Sequence, residues 1–150
     1  MKLFGTSGVR GTLDRLTPEL ALKLATAFSA LLGQGAEVAV GRDVRPHALA
    51  IERAVVAGLL SGGVDVLECG VVPTPAMLYY VKSEKLDGGI AVTGSHTPPE
   101  IVGVLFFSGD TSELERRGQE AVEELVSRGY APKIDWRRVG KASRVDRREL

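Results

Sequence analysis

Three short apolar runs, Glu37-Val38-Ala39-Val40-Gly41, Val64 to Leu67 and Gly89-Ile90-Ala91-Val92, are separated by segments whose apolar residues recur at helical spacing. Strands that alternate with helices on short connections pair most readily in one direction, so the alternation predicts a mainly parallel α/β sheet. A fourth run, Ile101 to Phe107, is nearly all apolar and reads as a strand buried on both faces. Only a turn separates it from the third. That leaves no room for a crossover helix and allows an antiparallel partner, so the sheet is expected to be mixed.

The helices are marked by their ends. Thr17-Pro18-Glu19 supplies a cap, a proline at the first helical position and an acid in the first turn. Leu20, Leu24, Ala27, Phe28 and Leu31 follow at helical spacing, and Gly33 or Gly35 stops the run. A second helix is expected from Pro46 to Leu60, with Leu49, Val56, Leu59 and Leu60 facing the sheet. Pro73-Thr74-Pro75 opens a short helix through Ser83. Asp110-Thr111-Ser112-Glu113 starts a charged one that runs to about Arg128, with Gly129 placed to end it.

The turn after the third strand, Thr93-Gly94-Ser95-His96-Thr97-Pro98-Pro99-Glu100, says most about function. It exposes a serine oxygen at a strand's carboxyl end, where open α/β sheets bind ligands. The two prolines fix φ and remove two donors, so the turn is stiff. A stiff exposed serine suits a group carried covalently; an ordinary polar turn is the plain alternative. Two further segments bear on the choice. Phe4-Gly5-Thr6-Ser7-Gly8-Val9-Arg10-Gly11 holds three glycines and one arginine, and Gly41-Arg42-Asp43-Val44-Arg45 follows the strand that begins at Glu37.

Together, in order and spacing over the first ~135 residues, these motifs resemble the α-D-phosphohexomutases, the phosphoglucomutase and phosphomannomutase family. The resemblance is to the first of that family's four domains. It implies a single three-layer α/β domain over residues 1–135, with residues 136–150 as a basic exit segment or linker toward a second domain. It also implies phosphate transfer within a hexose phosphate, with Ser95 as phosphoryl carrier and Arg10 near the reacting groups. Thr6, Ser7, Gly8 and Arg42 are the phosphate- or substrate-binding candidates. Arg42 and Asp43 are alternatively expected to brace the loops as an ion pair. His96 either donates to phosphate or holds a neighbouring loop, and His47 is expected at the surface.

The family pattern continues T-[AG]-S-H-N-P-x-x-x-N-G-x-K, and here Thr97, Val102 and Leu105 replace its two asparagines and its lysine. That lysine is a family candidate for proton transfer, and leucine can move no proton. Either His96 or Arg10 covers the role, or the chain has lost full activity and acts as a phosphate-binding or protein-interaction remnant. The family's magnesium would be touched here only by the phosphate on Ser95, because no aspartate-rich D-G-D-G-D-R loop is present. The sugar-reading G-E-x-S-G segment is missing too, so the hexose phosphate or bisphosphate is unselected. The remaining mutase domains, in cis or in trans, are the implied partners.

Nineteen basic residues balance nineteen acidic ones, which argues against a whole-chain nucleic-acid partner. Residues 132–150 nevertheless hold seven Lys or Arg against three acids, read as a solvated tail or linker, with RNA or anionic lipid as the alternative. Ile134, Trp136 and Val139 lie within it, either crossing to a neighbour or folding back. The single cysteine, Cys69, permits no internal disulfide and reads as a buried structural thiol. No run approaches ~18 apolar residues, and the start lacks a signal peptide's apolar core. A cytoplasmic protein without a membrane partner is expected.

Overall fold

The computed structural model describes residues 2–150; Met1, the first residue of the apolar entry, lies outside them. Six strands form one sheet: β1 (Val9–Gly11), β2 (Glu37–Arg42), β3 (Asp65–Val71), β4 (Gly88–Val92), β5 (Val102–Ser108) and β6 (Ala142–Arg144). Their order is β1-β5-β4-β2-β3-β6. β4, β2, β3 and β6 run parallel, whereas β5 is antiparallel to both β4 and β1. The sheet is therefore mixed and mainly parallel. The antiparallel pair falls at the turn that is too short for a crossover.

Four helices cover the two faces: α1 (Pro18–Leu32), α2 (Ala48–Ser61), α3 (Thr74–Ser83) and α4 (Arg116–Ser127). On one face α1 packs against α2 and α4, over a core that includes Phe28, Ile51, Leu59, Val66 and Phe106. On the other face α3 lies on β2 and β4, over Ala39, Cys69, Met77, Leu105 and Phe107. Three layers result. Both faces of β4 and β5 are covered, which is why their residues are apolar without alternation.

The expected caps form at α1, where the Leu20 N–H donates to Thr17 Oγ1 at 3.1 Å. Two boundaries differ from the sequence expectation. α2 begins at Ala48, because Arg45 to Ala48 close a turn first (Ala48 N–H to Arg45 O, 3.0 Å). Its Leu49 is exposed, and Ala48, Ile51 and Val55 join Val56 and Leu59 in facing the sheet. α4 begins only at Arg116, because the Asp110 carboxylate accepts from both the N–H and the hydroxyl of Ser112 and makes a turn. Glu113 then bridges to Phe107 rather than entering the helix.

The ends of the chain add two strands that periodicity does not announce. β1 and β6 are three residues each, and β6 is exposed throughout, so neither carries an alternation long enough to read. Residues 142–144 are zipped to β3, and Ile134 rests against Gly63, while Trp136 stays 76% exposed. Cys69 is buried as expected, and desolvation pushes its thiol up to about 12. Among the described residues no helix is long and apolar enough to cross a membrane.

Candidate active site at the Ser95 turn

β2 and β4 lie side by side and end together, Arg42 beside Val92. From β2 the chain leaves toward β3 through α2, and from β4 it turns back into β5 on the opposite side. The crevice between two such diverging ends is where open α/β sheets bind ligands. The loops that follow these two strands meet over it. Asp43 Oδ2 accepts from the Thr93 hydroxyl at 3.0 Å and from the Gly94 N–H at 2.9 Å. Thr93 Oγ1 in turn accepts from the Ser95 N–H at 3.1 Å.

Arg45 completes the frame. Its Nη1 donates to Thr97 Oγ1 at 3.1 Å and to Ile101 O at 2.7 Å, and its Nη2 donates to Thr97 O at 2.9 Å and Ser95 O at 3.3 Å. One guanidinium thus ties both limbs of the turn. Gly94 is required beneath it, since a Cβ there would fall 1.0 Å from Arg45 Nη1. Ser95 sits at φ 54°, a left-handed conformation that costs a non-glycine residue about 1–2 kcal/mol. The surrounding hydrogen bonds hold it there. The result is an exposed serine whose backbone is fixed from both sides.

Arg10 reaches this serine from β1. Its backbone is in register with Gly103 on β5, and a Cβ at Gly103 would lie 2.8 Å from Arg10 Cγ. The glycine therefore leaves the path by which the Arg10 side chain crosses, and its Nη2 donates to Ser95 Oγ at 3.3 Å. Sequence positions 10 and 95, eighty-five residues apart, share one point at the surface. His96 is exposed beside them and makes no side-chain hydrogen bond among the described residues.

The other candidates divide. Gly8, at φ 68°, packs so closely on Val104 O that a Cβ would come within 2.4 Å, and it thereby sets the path into β1. Thr6 is exposed, and the Ser7 hydroxyl donates to Glu113 Oε1 at 2.7 Å. Buried Glu123 accepts from the N–H groups of Leu3 and Phe4, so α4 and the segment before it anchor the glycine-rich loop. Arg42 does not pair with the Asp43 carboxylate. Its Nε lies 3.3 Å from buried Glu52 on α2, and its Nη1 donates to Asp43 O. Arg42 is the last residue of β2 and Asp43 the first of the loop beyond it, and the two side chains take different partners. His47 is half-buried, with Nε2 enclosed and without a hydrogen-bond partner among the described residues, rather than fully at the surface.

Asp43, Arg45, Thr93 and Glu113 carry the frame, yet no role for Arg45, Thr93 or Glu113 was expected from the sequence. The available signal was the spacing of Asp43 and Arg45, two residues apart just after a strand end. Asp43 is partly desolvated, which alone would raise its pKa. Hydrogen bonds from Gly94, Arg45 and Thr93, with the Arg45 charge, outweigh this and hold it below the ordinary carboxylate range. A depressed pKa stabilises the fold above the ordinary value, and that stabilisation is lost as pH falls through the depressed one. Asp43→Asn should therefore be less stable than the parent at neutral pH. The gap should narrow as pH drops below about 4, which urea unfolding at a series of pH values measures. A gap independent of pH would exclude the charge as its source.

An exposed serine on a turn fixed from both sides, with an arginine at its hydroxyl, thus lies at the carboxyl edge of the sheet, where open α/β folds bind ligands. The chain belongs to the phosphoglucomutase/phosphomannomutase family: the model of its alpha/beta/alpha domain I matches residues 1–133. It is 41% identical over 136 residues to the phosphoglucosamine/phosphogalactosamine mutase of Sulfurisphaera tokodaii, covering 90% of this chain and 30% of that one. It is 39% identical over 150 residues to a phosphoglucomutase/phosphomannomutase of Thermococcus kodakarensis, covering 97% of this chain and 33% of the relative. A crystal structure of a family protein from Burkholderia thailandensis superposes with a TM-score of 0.84 at 25% identity, over 96% of this chain and 33% of that one. The chain spans about a third of the length of the relatives it matches.

Proposed function

We propose that this chain is the phosphoryl-carrying first domain of a hexose-phosphate mutase. The observation that supports the reading most is the contact between Arg10 Nη2 and Ser95 Oγ. A phosphoserine ester is stable in water yet transferable once its charge is neutralised. In transfer, a sugar hydroxyl oxygen bonds to phosphorus as the P–Oγ bond breaks. The electron pair returns to Ser95 Oγ, the hydroxyl loses its proton to a base, and Oγ gains one. Arg10 meets the developing charge on the phosphoryl oxygens with its guanidinium fork. His96, exposed beside Ser95, is the candidate for the proton, because Leu105 lies buried under α3 where the family pattern has its lysine.

The residues present fit only part of a magnesium site. Among the described residues no three His, Cys, Asp or Glu converge, and the nearby Asp43 carboxylate is occupied by Gly94, Thr93 and Arg45. A magnesium ion on the Ser95 phosphate would take its remaining oxygens from other domains. Those domains would also choose among gluco, manno and amino-sugar phosphates. The 150 residues alone are accordingly expected to carry phosphate without turning over glucose 1-phosphate or mannose 1-phosphate.

Incubation with glucose 1,6-bisphosphate followed by intact-mass measurement tests this. One phosphoryl mass is expected on the parent and none on Ser95→Ala. No uptake by the parent, or equal uptake by both, overturns the reading. The second reading, a remnant that binds phosphate or a partner without transfer, is favoured by Leu105 and Val102, and it predicts no mass gain.

A further inference from the structure

The basic end of the chain is not a free tail. β6 is parallel to β3, in register Arg144 with Glu68, and is held there by Val66 N–H to Lys141 O at 2.9 Å and Val145 N–H to Glu68 O at 3.0 Å. Residues directly across a parallel pair project to the same face. Glu68 reaches toward α2, where it pairs with Arg53 at 3.0 Å, so Arg144 stands over α2 as well. Val145 and Leu150 pack on the α3-side core and fix the turn that carries Arg147. A cavity of about 290 Å³ opens between these elements at the carboxyl ends of β2, β3 and β6.

Its charge is unbalanced. Arg42, Arg53, Arg144 and Arg147 line it against Glu52 and Glu68. Both glutamates are already taken, Glu52 by Arg42 and Glu68 by Arg53. Asp146 is closed on Arg148 at 2.6 Å, and Glu149, on the same turn as Arg147, does not line the cavity. Arg144 and Arg147 make no ion pair among the described residues. Two guanidinium forks beside neutralised pairs complement one doubly charged, many-oxygened anion.

We propose that this cavity is a second anion site, separate from the Ser95 turn, that takes a phosphate dianion, either free or as the ester of a small metabolite. Arg144 and Arg147 hold the phosphate oxygens, and the Arg53–Glu68 pair fixes the adjoining wall. The basic composition of the last residues thereby has a place to act. It supplies cations to a sheet edge rather than to nucleic acid.

Titration with inorganic phosphate at constant ionic strength, followed by backbone amide shifts, tests the site without reference to catalysis. A saturable response at Cys69, Gly70 and Val145 is expected, weakened about tenfold or more in Arg144→Ala/Arg147→Ala. Both side chains are exposed, so the fold survives their loss. Arg137→Ala/Arg138→Ala removes the same charge from the same segment outside the cavity and should bind as the parent does. A parallel titration with glucose 6-phosphate assigns the source: tighter binding indicates an ester, equal binding free phosphate. No saturable response, binding that survives in Arg144→Ala/Arg147→Ala, or equal loss in the control pair overturns the proposal.

Discussion

Arg45→Ala is expected to slow phosphoryl uptake at Ser95 by about 100-fold while leaving the sheet intact, because a displacement of about 1 Å at a reacting group carries a penalty of that order. The guanidinium donates four hydrogen bonds into the turn and is mostly enclosed. Without it, Thr97 O and Ile101 O lose a charged donor, and Ser95 loses one of the bonds that holds its left-handed backbone. The stability loss should be about 2 kcal/mol, near that of one buried charge-assisted interaction, since water reaches the exposed side of the turn. Amide exchange should quicken at residues 93–101 and stay unchanged in β2 and β3. Arg45→Lys should restore part of the stability but little of the uptake, because an ammonium cannot span both limbs of the turn. Uptake equal to the parent's in Arg45→Ala would show that the turn positions Ser95 without this clamp.

The second large effect lies far from the site. Gly58→Ala should lower stability by about 2–3 kcal/mol, or roughly 8 °C in Tm, although alanine is the better helix former by about 1 kcal/mol. Gly58 lies in the last turn of α2, buried against α1. A Cβ there would lie 2.5 Å from Leu22 O, 2.9 Å from Ala25 Cβ and 3.1 Å from Thr26 N. These are mostly backbone atoms, so the helices must move apart. That displacement would also strain the Thr26 hydroxyl, which donates to Leu22 O at 2.8 Å and reaches Gly58 O at 3.4 Å. Thermal unfolding followed by circular dichroism measures the effect. A Tm equal to or above the parent's would mean that α1 and α2 can separate at little cost.

Residue order alone carried the strands β2, β3, β4 and β5, the helices α1 and α3, the mixed sheet and the family. Each rests on a local pattern: an apolar run, a cap, a proline, or a motif whose members are neighbours in the chain. Ser95 and Arg10 were legible for the same reason, as members of two short motifs. Their 3.3 Å approach depends on β1 pairing with β5 and on Gly103 leaving a path, neither of which is local. The partners of Arg42 and Asp43 were likewise beyond sequence. Arg42 closes β2 and Asp43 opens the loop after it, so one finds Glu52 on a helix and the other finds Thr93 and Gly94 on a loop, all distant in sequence. α4 starts later than its sequence suggests because a side-chain turn at Asp110 competes locally with helix, and the pairing of Glu113 with Phe107 decides between them. Three-residue edge strands such as β6 carry no period at all. Only the neighbouring strand, with its unpaired N–H and C=O groups waiting at the sheet edge, turns a basic segment without pattern into a strand.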